Sequence, residues 1–510
     1  MTRARLFCPA FNVLSRISVG TIERSAEWPI AALFGPIGSY ATAAGPSACS
    51  NITSHLGSAK VISSEISLKY INSIEYYNTV QDSYKPSCIV YPKSSQDVSV
   101  ALQAIRSADS RFAIKAGGHN PNTFYSSVDN GVLIDLSSLN AKSYDPETTL
   151  ATYGPGGTFG DIYDYYVKYG RTVVGARLAG VGTGLALGGG MSYLSPQYGM
   201  ACDSFRELEI VLPDGKIVTA SNTSNPDLFF ASRGGGGNAY GVVTKYTVQS
   251  RPAGNFYAGN VIYAFEQKDT VLEAIHNFIK YNTDPKASII GTYEKIPTPD
   301  LNLNLDEITI MFLVYDGEDS GSAFSNFTSI PHLLNTLSTK TYPEVVNMPI
   351  PYSTEISRGA NIFRVGVHRA DTDEYKTAMD KWRDWAESNK SKYTLLSLDF
   401  QPVPKSLTDA SKAQGGNAMQ MPDGPWFWLN YLIQTPPLMS GPDYDAVHSS
   451  FRDMVASTSN AEGLPLFIND ASHDQNPLST FSTYTKLQEI KKKYDPDNFF
   501  ADRTGGWSFA

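Results

Sequence analysis

Cysteine is scarce. Four residues in 510 are too few for a disulfide scaffold. Cys49 and Cys88 flank the first ordered segment and can pair; Cys8 lies in the leader, and Cys202, after Ala201 in an apolar run, reads as buried. Neither CxxC nor HExxH occurs and the seven histidines are scattered, which argues against a metal site. Beyond the N-terminal region no apolar run reaches membrane-spanning length, so no membrane span is expected. Charge is also modest: 18% of residues are charged and the net charge is −9, which disfavours a nucleic-acid surface. With 42% hydrophobic residues the chain is globular, and its length accommodates two or more domains.

Glycine and tyrosine, in contrast, are plentiful, at 41 and 30 residues. Cys88-Ile89-Val90-Tyr91 reads as a strand stopped by Pro92. Ser94 followed by Asp97 opens a helix in which Val98, Leu102 and Ile105 recur at helical spacing. Phe112 to Lys115 is the next strand, and it runs into Ala116-Gly117-Gly118-His119-Asn120. Almost bare backbone at a strand end lets a ligand approach main-chain N–H groups, and a titratable imidazole follows at once. A Rossmann reading fails here. Asn120-Pro121-Asn122 breaks a helix where one is required, no GxGxxG stands at the right place, and no Walker loop exists.

Three more glycine-rich turns follow strands or precede them: Tyr153 to Asp161, Gly175 to Gly190, and Arg233 to Asn238 leading into Gly241-Val242-Val243-Thr244. Apolar residues interleave the longest run, unlike a flexible linker. Between them Leu208, Ile210 and Leu212 alternate, Pro213-Asp214-Gly215 turns, and Ile217-Val218-Thr219 returns as a hairpin. At the N-terminus, Trp28 to Gly45 is apolar and ends in Ala41-Thr42-Ala43-Ala44, a signal-peptidase-like site. The apolar run starts late, so residues 1–45 are either an atypical secretory leader or precede the true start. Sequons at Asn51, Asn222, Asn326 and Asn389 fit a secreted glycoprotein.

Taken together, five motifs carry a resemblance: Lys115 to His119; Val181 to Gly190; Tyr198-Gly199-Met200-Ala201-Cys202-Asp203; Arg233 to Asn238 with Gly241 to Thr244; and Lys493-Tyr494-Asp495-Pro496-Asp497-Asn498-Phe499-Phe500. In this order and spacing the chain resembles the FAD-linked oxidoreductases of the vanillyl-alcohol-oxidase (PCMH-type) superfamily. More narrowly it resembles the berberine-bridge-enzyme and 6-hydroxynicotine-oxidase-like group in its fungal secondary-metabolism, solanapyrone-synthase-like form. The resemblance implies an α+β fold. A PCMH-type FAD-binding domain of two α+β subdomains (46–251) is expected, then a substrate domain with an antiparallel sheet covered by helices (252–464), and a C-terminal segment (465–510) returning to the first domain.

The resemblance also assigns residues. His119 would carry FAD covalently through its 8α-methyl, with Lys115, Ala116, Gly117, Gly118 and Asn120 round the pyrophosphate. Gly182, Gly184, Gly189 and Gly190 would cover flavin and phosphates, Val243 would meet the adenine end, and Asn498 belongs to the same cofactor-binding set. Some relatives carry a second flavin link from a cysteine where this chain has Arg177, so a single link is expected. Plant relatives place a tyrosine base where Phe467-Ile468-Asn469-Asp470-Ala471-Ser472 aligns, which puts Asp470 at that position. Poorly solvated beside a flavin, Asp470 can accept a proton; alternatively it caps a turn or pairs with a cation. In Trp426 to Leu432, Phe427, Leu429 and Tyr431 share one strand face while Trp426, Trp428 and Asn430 share the other; Tyr431 is taken as a second catalytic candidate. The expected activity is oxidation of a small, largely apolar polyketide, alkaloid or terpenoid intermediate, with hydride passing to flavin N5 and O2 returned as hydrogen peroxide by a monomeric, secreted enzyme. An oxidase–cyclase of Diels–Alder type and an oligosaccharide oxidase are the alternatives.

Overall fold

The strand–helix–strand unit forms as its sequence signals require. In the computed structural model, which describes residues 43–296, 306–349, 358–436, 439, 441–458, 461–507 and 509, the helix Ser95–Ala108 starts at Ser94, whose hydroxyl accepts from the Asp97 N–H at 3.2 Å. The leader expected over residues 1–45 falls outside the described residues except for Ala43, Ala44 and Gly45, where the helix Ala44–Leu56 begins.

Strands β1 (Val61–Ile62), β2 (Cys88–Val90), β3 (Phe112–Lys115) and β4 (Val132–Asp135) make a four-stranded sheet in the order β1-β2-β4-β3, with β4 parallel to both β2 and β3. A disulfide between Cys49 and Cys88 fastens the first helix to it. Strands β5 (Lys142–Asp145), β6 (Leu150–Tyr153), β8 (Phe205–Val211), β9 (Ile217–Ser221) and β10 (Val242–Gln249) make an antiparallel sheet in the order β5-β6-β10-β8-β9. Short β7 (Arg171–Thr172) pairs with β11 (Arg251–Pro252).

The third sheet is antiparallel and eight-stranded. It comprises β12 (Asn255–Ala264), β13 (Ala287–Lys295), β14 (Glu307–Tyr315), β15 (Leu334–Asn335), β16 (Ser338–Thr341), β17 (Ala360–Arg369), β18 (Leu395–Val403) and β19 (Trp426–Thr435). Apart from the short, partly exposed β15 and β16, its strands are long and largely buried on both faces, and alternation sorts the side chains. Phe427, Leu429, Tyr431 and Ile433 pack with Val271, Ile275, Tyr375, Trp382, Val447 and Phe451 of the helices Lys268–Tyr281, Thr372–Ser388 and Pro442–Ser457. Trp426 and Trp428 point the opposite way, into the core shared with the five-stranded sheet and the glycine turns.

The chain then returns. Asp495 accepts from the N–H groups of Phe499 and Phe500 at 2.7 and 3.1 Å, and Tyr494 donates its hydroxyl to Asp227 at 2.8 Å. These bonds hold the C-terminal segment so that Gly506 and Trp507 reach the central cavity.

Candidate active site

The glycine turns meet backbone to backbone. A Cβ on Gly117 would stand 2.6 Å from the Gly182 nitrogen, and one on Gly182 would stand 2.3 Å from the Gly117 nitrogen. Only glycine at both positions permits this crossing. Beside it opens a cavity of about 320 Å³ between the turns and the eight-stranded sheet. A Cβ on Gly184, which lines the cavity, would meet no atom within 4 Å, so the wall there is main chain facing open space. Asn469 secures this wall by donating to the Leu185 and Gly188 carbonyls at 3.0 and 3.2 Å.

His119 lines the cavity with its ring stacked on Tyr77, centroids 4.1 Å apart and planes 13° from parallel. Burial lowers the imidazole pKa to about 4, so the ring is neutral at pH 7 and keeps a free electron pair. Phe363 meets Tyr77 edge-on.

On the sheet side, Asp399, Gln401 and Asn430 line the cavity together with Asp470. The Gln401 amide donates to Asp470 Oδ2 at 2.6 Å, and its carbonyl accepts from Arg177. Burial raises the Asp470 carboxyl to about 6, reinforced by Asp399 and opposed by Arg177 and the Gln401 hydrogen bond. Burial also raises Asp399, opposed by Ser397, Thr292, Arg177 and Asn430. Two carboxyls that resist ionisation thus share one guanidinium at the cavity wall. Sequence reasoning missed Asp399, although Ser397, Asp399 and Gln401 alternate as polar residues within an otherwise apolar strand, a period-2 signal for one polar face.

Of the residues singled out from the sequence, His119, Ala116, Gly117, Gly118, Asn120, Gly182, Gly184, Val243 and Asp470 all line this cavity. Five others do not line it. Tyr431 faces the helices, where its hydroxyl donates to Thr458 at 3.3 Å. Lys115 points back from the turn to the Ser73 and Glu75 carbonyls at 2.6 and 2.9 Å. Gly189 and Gly190, at φ of 102° and 74°, turn the chain beneath the loop against Met419 and Ala201. Asn498 accepts from Lys491 at the start of the helix Phe499–Arg503.

Comparison with known proteins fits this geometry. Residues 86–221 match the "FAD binding domain" family and residues 482–505 match "Berberine and berberine like". The chain is 34% identical over 457 residues to an uncharacterized FAD-linked oxidoreductase of Arthroderma benhamiae, covering 85% of this chain and 89% of that one. The chain belongs to the berberine-bridge-like FAD-linked oxidoreductases. This oxidoreductase is also 30% identical to the bifunctional solanapyrone synthase of Alternaria solani, over 82% of its own length and 81% of the relative's. Its fold matches glucooligosaccharide oxidase from Acremonium strictum, with a TM-score of 0.72, 21% identity and coverage of 89% and 98% of the two chains. The flavin of that enzyme is described as 6-S-cysteinyl, 8α-N1-histidyl FAD. The fold of this oxidoreductase is thus the PCMH-type α+β architecture.

The residues present fit FAD. The small residues 116–118 and the unobstructed backbone at Gly184 line the cavity, where main-chain N–H groups can approach an anionic, flat ligand closely. The neutral His119 stands on the same wall. No helix among the described residues is long and apolar enough to cross a membrane.

Proposed function

We propose that the oxidoreductase holds FAD covalently through His119 and oxidises a hydroxyl-bearing or acidic C–H carbon of a small, largely apolar metabolite, with O2 as the acceptor and hydrogen peroxide as the product. The observation that carries the reading is Asp470: a carboxyl poised near 6 on the same cavity wall system as a neutral His119. When bound, FAD supplies hydride acceptance and the return of electrons to O2. The chain's residues do the rest. Asp470, ionised above its pKa, takes the substrate proton on the oxygen not held by Gln401. Gln401 orients the carboxylate, and Arg177 stabilises its charge through Gln401 and through space. Ile290, Phe312 and Phe363 give the cavity an apolar wall that excludes water and suits an apolar substrate body.

Arg177 at the position of the second link in some relatives supports a single attachment. An exposed sequon asparagine at Asn51, Asn222 and Asn326 and the Cys49–Cys88 disulfide support passage through an oxidising compartment and secretion. Peroxide release across a panel of apolar alcohols and sugars tests the substrate class; turnover of oligosaccharides alone would overturn it. The likeness to a bifunctional solanapyrone synthase favours one second reading, in which the oxidised product closes a ring in the same cavity. Product analysis after a single anaerobic turnover separates the two, since only the second gives a cyclised product.

A further inference from the structure

Behind the loop that carries Asp470, three side chains from two elements converge outside the cavity. His448 stands on the helix Pro442–Ser457, and His473 and Asp474 follow Asp470 in the chain. One ligand atom from each lies within 4.8 Å of the others. The imidazole rings are 5.0 Å apart between centroids and 31° from parallel, and His448 Nε2 lies 3.3 Å from Ser472 Oγ. Folding thus gathers what the sequence separates, which is why no contiguous metal motif announces the cluster.

We propose that His448, His473 and Asp474 bind a divalent transition-metal ion of the Zn2+ type, clasping the Asp470 loop to the helix Pro442–Ser457. Two imidazoles with one carboxylate are a borderline donor set, suited to Zn2+, Co2+ or Ni2+ rather than to Ca2+ or Mg2+. Metal–ligand bonds of about 2.0–2.2 Å need donors closer than 4.8 Å, so closure takes side-chain rotations on the order of an ångström. The backbone is already held. The His473 N–H donates to Asn122 Oδ1 at 2.8 Å, and Gln475 bridges Ser472 and Val365 through three bonds of 2.8–3.1 Å. Arg364 donates to Asp474 Oδ1 at 2.6 Å and Ser472 is a further side-chain partner of this carboxylate, so an ion would share it with both. The guanidinium charge of Arg364 opposes a bound cation; Arg452 and Asp453 add opposite charges nearby.

The test uses EDTA-treated flavin-loaded enzyme titrated with Zn2+ alone. One equivalent should bind, melting should rise with Zn2+ concentration, and Co2+ should give visible bands to the red of the flavin. His448→Gln and His473→Gln should each weaken Zn2+ binding by more than the roughly tenfold to hundredfold typical of losing an outer partner. Asp474→Asn strands Arg364 and can destabilise the loop, so the histidine variants carry the test, with an unchanged flavin spectrum as the mark of a folded protein. No uptake, or uptake indifferent to both histidine variants, would overturn the proposal.

Discussion

Replacing Asp470 with asparagine separates catalysis from stability in opposite directions. The displacement of its carboxyl from 3.8 to about 6 by burial corresponds to roughly 3 kcal/mol against the ionised form in the native state. Because the folded-state pKa is raised, its stabilising contribution is complete below about pH 4 and is lost as pH rises through 6. Above pH 6 the wild type therefore carries a poorly solvated, half-buried carboxylate that Asp470→Asn removes, while the asparagine carbonyl still accepts from Gln401. The variant should melt higher than the wild type at pH 8 and show no advantage at pH 4. Catalysis should move the other way. Anaerobic stopped-flow of substrate-driven flavin reduction should show wild-type rates climbing tenfold per pH unit below 6 and levelling above it. In the variant the rate should fall by roughly a hundredfold to ten-thousandfold and run flat through pH 6. A limb near pH 6 that persists in Asp470→Asn would refute the assignment and move the proton to another group, with Asp399 the first to test.

Arg177→Leu removes the cation that lowers both carboxyls, so the kinetic limb should move to higher pH, and Arg177→Lys should restore part of it; the pH profile of flavin reduction reads both. Tyr431→Phe should leave the reduction rate unchanged and cost about 1 kcal/mol in chemical denaturation, since Thr458 keeps its bond to the Val455 carbonyl. Cys88→Ser opens a loop closed across 39 residues, and on the chain-entropy account should lower unfolding free energy by about 4 kcal/mol, measured in denaturant.

The four glycine-rich turns were legible because a glycine run beside a strand has few other uses, and Gly117 and Gly182 do make the backbone crossing that only glycine allows. Gly189 and Gly190 show the limit of that logic. Their positive φ angles serve the turn of the chain, and composition cannot distinguish a glycine needed for a bend from one needed for a ligand. Strand parity was also legible: the alternation in Trp426 to Leu432 placed Asn430 opposite Tyr431, and the structure puts Asn430 on the cavity and Tyr431 under the helices. Asn498 illustrates a third case, a family motif that also supplies a structural staple through Asp495 and Tyr494. Asp399 and the His448 cluster depend on which strands and helices become neighbours, information carried by tertiary packing and only hinted at by the polar alternation in β18.

Mass spectrometry of proteolytic peptides from the denatured enzyme addresses the covalent cofactor directly. The peptide containing His119 should carry one FAD and no other peptide should, with His119→Ala releasing all colour into the supernatant on acid precipitation. Flavin freed from the wild type by acid, or found attached at any other residue, would contradict the account.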